Sequence, residues 1–289
     1  MRLRAPAPIE NVADTASWVA EIRACESARA DALFRDPLAA RLAGERGRRI
    51  ARALPDGAAT AWGVVMRTCA IDRLLEDALA AGIDCVVNLG AGLDTRPYRL
   101  DLPASLHWVE VDLPPLIAAK NAQLAAETPR CRVERLGLDL RAPGFAAALR
   151  ARLPPAAGAV LLISEGVIPY LTAERAAELA RELRTLPGVR CWLQDYENAG
   201  LRRPLPRRWT EALAAAPLLF QAPNWFEFFR EQGWRPARVL TSGEQGARAG
   251  RPFPWTFPRG WLLRLLPASW RRGVLDATGA VLLEPAAAD

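Results

Sequence analysis

The sequence predicts an α/β fold, a mostly parallel sheet of seven strands with helices wound around it and a helical segment in front. Three observations predict it. Residues 1 to about 81 carry apolar residues only at helical spacing, with no strand pattern between them. From Asp84 onward, short apolar runs alternate with helical stretches, the signature of βαβ units and a parallel sheet. Four of those runs end in glycines or carboxylates, residue types that serve ligands where parallel strands open at their carboxyl ends.

Ala13 to Ala30, Pro37 to Leu54 and Ala61 to Ala80 form the helical preface. Cys85-Val86-Val87-Asn88-Leu89 is the first strand and runs into Gly90-Ala91-Gly92, after which a helix is expected. Leu106 to Asp112 is the second strand, with a helix from Pro114 to Ala126. Arg132 to Leu138 is the third and ends at Asp139; Ala159 to Glu165 is the fourth, followed by a helix from Thr172 to Leu186. Val189 to Tyr196 is the fifth. Leu201 to Arg208 is rich in Arg and Pro and reads as a loop. Asn224 to Gln232 reads as a helix, and Arg238 to Leu240 and Ala280 to Leu283 as two last strands.

Composition narrows the function. The 289 residues suffice for one large α/β domain with an appendage. The five cysteines form no CxxC pair, so neither a zinc site nor a disulfide framework is expected; Cys85, Cys131 and Cys191 open apolar runs and read as core thiols. No apolar run reaches the ~20 residues of a membrane helix, and no signal peptide is evident, so a cytoplasmic protein with no membrane partner is expected. The net charge of +6 is carried by arginines scattered through every segment, with Lys120 the one lysine. GC-rich codon usage accounts for that, and no nucleic-acid partner is expected. A monomer or homodimer is expected.

The chemistry lies at the strand ends. Glycine at Gly90 and Gly92 lets backbone approach a ligand closely, although GxG also serves ordinary strand-to-helix turns. The third glycine of GxGxxG is missing, which weighs against a dinucleotide. Glu110 and Asp112 alternate along the second strand and so face one side. Either can accept hydrogen bonds from ribose hydroxyls, Asp112 being nearer the strand end. Asp139 can receive an adenine amino group. Glu165 follows five apolar residues, and a carboxylate so placed needs a partner such as an ammonium. His107, the sole histidine, lies at the far end of its strand, so no imidazole base is expected at the site.

These motifs carry a resemblance. Asn88-Leu89-Gly90-Ala91-Gly92-Leu93-Asp94-Thr95-Arg96, with Tyr98-Arg99-Leu100, closely resembles the first motif of the leucine carboxyl methyltransferase family. Glu110-Val111-Asp112-Leu113-Pro114 resembles its second and Ser164 to Leu171 its fourth. Ser27 to Ala39 resembles the N-terminal signature of the bacterial branch, which includes polyketide O-methyltransferases of the tetracenomycin type. Pro97 and Pro169 depart from the pattern.

The resemblance implies a Rossmann-like class I methyltransferase that uses S-adenosyl-L-methionine. It implies residues 1–81 as a helical lid with cofactor-covering helices, and residues 82–289 as the catalytic domain with a lid insertion near 198–232. The implied cofactor residues are Arg67 at the methionine carboxylate, Asn88, Gly90, Ala91, Gly92 and Asp94 at the turn, and Glu110, Asp112 and Leu113 at the ribose. Asp139 and Leu140 follow at the adenine, and Glu165 and Gly166 at the amine. Arg67 could equally be a solvated helix arginine.

With no histidine at the site, the expected acceptor is an oxygen already ionised at neutral pH, a carboxylate first and an acidic phenol next. It would belong to a small molecule, such as a natural-product intermediate, or to a peptide C-terminus. Tyr170, Tyr196 and Asp195 are candidate orienting groups at strand ends, or equally core and rim. Arg23, Arg29, Arg96, Arg202, Arg203 and Trp18 are candidate substrate contacts, the arginines for an anion and the tryptophan for an apolar body. Trp62, Trp225 and Trp255 also lie in segments that could cover the pocket. A nicotinamide oxidoreductase and a non-catalytic cofactor-binding protein are the alternatives on the same fold.

Overall fold

Three helices precede the first strand in the computed structural model, which describes residues 9–54, 57–153, 158–198, 207–254 and 267–286. They are α1 (Val12–Ser27), α2 (Ala39–Ala53) and α3 (Gly57–Ala80). Asn11 starts α1 by accepting the Asp14 N–H, the usual way an early helix amide finds a partner. β1 (Cys85–Leu89), β2 (His107–Asp112), β3 (Arg132–Gly137), β4 (Val160–Ser164) and β5 (Val189–Glu197) follow, linked through α4 (Arg96–Arg99), α5 (Pro114–Leu124), α6 (Phe145–Arg150) and α7 (Ala173–Arg184). Then come α8 (Arg207–Ala212), α9 (Trp225–Glu231), β6 (Trp234–Thr241), α10 (Ser242–Arg248), α11 (Ala268–Asp276) and β7 (Thr278–Pro285).

The seven strands form one sheet in the order β3-β2-β1-β4-β5-β7-β6. β1 to β5 run parallel, while β7 enters antiparallel between β5 and β6. Alternate side chains of the central strands feed two cores. Val87, Leu89 and Leu162 pack with Leu149, Leu179 and Leu183 on one face. Val86, Leu161 and Ile163 pack with Ile71, Leu74 and Leu75 of α3 on the other. Each such fully buried aliphatic contributes about 1.5–3 kcal/mol. Strands covered on both faces read as unbroken apolar runs, which is why β1 and β4 stood out in the sequence.

Register sets the site. Leu89 pairs with Val111 on one side and Ser164 on the other, and Ser164 pairs with Gln194. The residues that follow, Gly90, Asp112, Glu165 and Asp195, therefore meet at one edge of the sheet.

Several expectations change. The glycine turn leads into a single helical turn, α4, because the chain is extended again at Leu100. Arg207 and Arg208, read as loop, begin α8; residues 201–206 of that stretch lie outside the described residues. α10 was not anticipated, although Thr241 and Glu244 form a capping box at its start. The boundary near residue 81 cuts through a shared core, since α3 packs on the sheet. Cys85, Cys131 and Cys191 are buried. Among the described residues no helix is long and apolar enough to cross a membrane.

Candidate cofactor cleft and active site

A cleft of about 850 Å³ opens over the carboxyl ends of β1, β2, β4 and β5 and is roofed by α1, α3 and α8. Its size is that of a site for a cofactor together with a small molecule. Of the residues expected at the cofactor, Arg67, Asn88, Gly90, Ala91, Gly92, Asp94, Asp112, Leu113, Asp139, Leu140, Glu165 and Gly166 all line it. Trp18, Arg23, Arg96, Tyr170 and Tyr196 line it as well.

The turn after β1 is built for close approach. Gly90 has φ +65°, and a Cβ there would stand 2.4 Å from Cγ2 of Val167. Asp112 locks the same turn, with one oxygen accepting the Gly92 N–H and the other the Leu113 N–H, each at 2.7 Å. Burial pushes the Asp112 carboxyl above its usual range, against the pull of those two amides. Asp139 sits farther out and is half-covered by its neighbour Arg141, whose hydrogen bonds hold its carboxyl below the usual range.

The other end of the cleft is a charge network. Arg67 donates Nε to Glu165 at 2.9 Å and Nη1 to Asp195 at 3.0 Å. Arg96 donates to Asp72 at 2.7 Å, to Asp94 at 2.8 Å and to the second oxygen of Glu165 at 2.9 Å. Arg99 takes both oxygens of Asp72, and Asn88 donates to Asp94 at 2.8 Å. Burial works to raise the Glu165 and Asp94 carboxyls, yet the guanidiniums around them win and hold both below their ordinary values. Three guanidiniums thus face four carboxylates, Asp72, Asp94, Glu165 and Asp195, leaving one negative charge in formal excess.

Over these groups lies an apolar half. Trp18 of α1 and Trp209 of α8 meet with ring centroids 6.0 Å apart, beside Tyr170, Leu213 and Leu218. Trp225 also lines the cleft, its indole N–H donated to Gln194 at 2.9 Å.

Five expected contacts need correction or fall elsewhere. Glu110 does not reach the cleft; it is fully buried between Lys120 at 2.9 Å and Arg135 at 2.7 Å. Arg96 is 2% exposed and engaged by three carboxylates, which ties its guanidinium to the network although it lines the cleft. Arg23 is spent on Asp36 at 2.9 Å and the Leu93 carbonyl at 2.6 Å. Arg29 lies on the surface with Asp31, away from the cleft lining. Tyr196 turns its hydroxyl to the Asp276 carbonyl at 3.1 Å and presents only its ring. Arg202 and Arg203, like Trp255, lie outside the described residues. Trp62 stands beside the cleft against Phe253. Asp72 and Arg99 were missed, because nothing in their local sequence marks a pair separated by 27 residues.

Comparison with known proteins places this arrangement. The model of the leucine carboxyl methyltransferase family matches residues 16–184. The chain belongs to that family. Its cofactor is S-adenosyl-L-methionine. A Frankia alni protein, named as an S-adenosyl-L-methionine-dependent methyltransferase, is 35% identical over 262 residues, 86% of this chain and 92% of that one. A Streptomyces coelicolor protein of the same designation is 41% identical over 175 residues, 57% of this chain and 61% of its own. Among solved structures, a DUF574 family protein from Streptomyces avermitilis superposes with a TM-score of 0.57 at 20% identity, covering 92% of this chain and 96% of that one. A protein from Thermobifida fusca, titled as a methyltransferase, gives 0.56 at 14% identity, over 97% and 96%. These two likenesses speak to the fold.

The residues present fit the cofactor. Gly90 lines the cleft with backbone alone, its turn packed so closely on Val167 that no side chain could be added. The excess negative charge at the Glu165 end complements a ligand with a sulfonium and an ammonium against one carboxylate. Nη2 of Arg67 has no partner among the described residues and stands at the cleft wall, available to that carboxylate.

Proposed function

We propose that this methyltransferase methylates an oxygen of a mostly apolar small molecule, an acidic phenol ahead of a carboxylate. When bound, S-adenosylmethionine supplies an electrophilic methyl group on sulfur. Asp112 and the Gly90 turn hold the nucleoside end, while Glu165 and Arg67 hold the amino-acid end. Trp18, Tyr170 and Trp209 wall the space left for the acceptor and keep water from it.

One observation carries the preference for phenol. Each of the five described arginines that line the cleft, Arg23, Arg67, Arg96, Arg99 and Arg141, already meets a protein carboxylate. Arg67 keeps an unused edge, but that edge serves the cofactor. A carboxylate acceptor would therefore lose its hydration without gaining an unengaged cation among the described residues. An acidic phenol loses less, and its ring matches the indole wall. No histidine lines the cleft, so an oxygen ionised near neutral pH reacts without a base.

The test is a panel of aromatic acceptors bearing phenol, carboxylic acid or amine groups. S-adenosylhomocysteine release is followed from about pH 6 to 9, and products are identified by mass spectrometry. O-methyl products with phenols leading, and a rate that levels off above the phenol's own pKa, are expected. Turnover restricted to amines would sink the O-methyl reading. Carboxylic acids leading the panel would reverse the order within it.

A further inference from the structure

Asp195, offered by the sequence only as a general orienting group, is a buried carboxylate to which the cofactor and acceptor assignments give no specific task. It stands near the end of β5, 9% exposed. One oxygen accepts the Gly166 N–H at 2.9 Å, and the other accepts Nη1 of Arg67 at 3.0 Å. Arg67 comes from α3, far away in sequence, and its Nε is held by Glu165 at 2.9 Å. Glu165 is itself fixed from behind by Arg96 at 2.9 Å. Two carboxylates at the ends of neighbouring strands thus grip one guanidinium at two of its nitrogens, and Arg67 lines the cleft with Nη2 unengaged among the described residues.

We propose that Asp195 is a positioning residue that, with Glu165, clamps the Arg67 guanidinium so that its free edge meets the carboxylate at the amino-acid end of the cofactor. This rests on the reading that the cleft holds S-adenosylmethionine. A long arginine side chain held at one point keeps much of its rotamer freedom, and ordering it then weakens every bond it makes to a ligand. A second point of attachment fixes the plane of the fork before the ligand arrives.

The chemistry of the position supports a task beyond filling space. An asparagine would satisfy the Gly166 N–H equally well. The fold instead keeps a carboxylate whose burial drives its pKa above the usual range, in spite of Arg67 and the Gly166 amide. The charge is matched to the Arg67 guanidinium, with backbone amides as its other donors.

The test uses the full chain and two ligands that differ only at the amino-acid end. S-adenosylhomocysteine carries it; 5′-methylthioadenosine has the same nucleoside and sulfur without it. Calorimetry on Asp195→Asn, which keeps an acceptor for the Gly166 N–H, should show S-adenosylhomocysteine bound about tenfold more weakly, the worth of one charge-assisted contact. Binding of 5′-methylthioadenosine should stay within about twofold, since its contacts do not involve Arg67. In an Arg67→Ala background, Asp195→Asn should have no further effect on either ligand. Equal weakening of both ligands, unchanged S-adenosylhomocysteine affinity, or full additivity with Arg67→Ala would each overturn the assignment. Wild-type protein that binds neither ligand would overturn the cofactor reading, and this one with it.

Discussion

The two halves of the cleft are built in different ways. The cofactor half comes from turns at the ends of parallel strands, where Gly90, Asp112 and Glu165 are brought level by sheet register. Its side chains are locked by 2.7–3.0 Å hydrogen bonds to one another and to backbone. The acceptor half comes from α1, the Ile168–Tyr170 turn and α8, elements distant in sequence that touch through apolar rings. A hydrogen-bonded network with charges accepts few substitutions, because each loss strands a buried partner. An apolar wall accepts many shapes of similar volume. The difference teaches that one half can be shared across a family while the other is free to select a substrate.

That contrast breaks first at Arg96. If Arg96 belongs to the network and not to the acceptor, Arg96→Ala leaves Asp72, Asp94 and Glu165 short of a buried partner and costs about 3–5 kcal/mol of stability. Urea denaturation measures it. A variant as stable as wild type would return Arg96 to the substrate.

Gly90→Ala should come next. It combines a positive φ with a Cβ contact of 2.4 Å to Val167, and the backbone strain alone costs about 1–3 kcal/mol. Gly144 is the control: its φ is +73°, but a Cβ there meets nothing within 4 Å. The excess loss in Gly90→Ala over Gly144→Ala, in melting temperature and in cofactor affinity, measures how tightly the turn is packed. Equal losses would mean that Val167 simply moves aside.

Asp112→Ala should weaken S-adenosylhomocysteine by about 1.5 kcal/mol or more, roughly tenfold in Kd, as a charge-assisted contact is lost. It also frees the Gly92 and Leu113 amides. Unchanged affinity by calorimetry would remove Asp112 from the ribose.

The smallest effect on the cofactor is expected in the acceptor half. Trp209→Ala opens the wall opposite Trp18. It should raise the KM of a bulky aromatic acceptor several-fold while leaving cofactor affinity within about twofold, because distant sites are close to additive. A loss of cofactor affinity as large as that of Asp112→Ala would erase the distinction between the halves.

How much could be read beforehand follows the same line. The seven strands, the glycine turn, Asp112 and Glu165 were legible because each depends on neighbours in the chain: an apolar run, then a polar residue where the run stops. The partners of Arg23, Arg29 and Arg96 were not legible, for the complementary reason. An arginine looks the same in sequence whether it faces a ligand, solvent or a carboxylate that folding brings from elsewhere. Asp36 lies 13 residues from Arg23, and Asp72 24 from Arg96. Glu110 shared the strand face of Asp112, as alternation required, yet Lys120 and Arg135 close over it. α4 fell short because the backbone is already extended at Leu100, four residues after the helix begins.

By itself the sequence determined the five parallel strands and the chemistry offered at each strand end, since apolar runs and turn residues act over a few positions. Tertiary structure alone decided which charges neutralise one another. It brought Arg67 of α3 to Glu165 and Asp195 across 98 and 128 residues, and it paired Arg23 with Asp36 and Arg96 with Asp72. The physical reason is that an ion pair depends on distance and desolvation in space, quantities that separation along the chain does not encode.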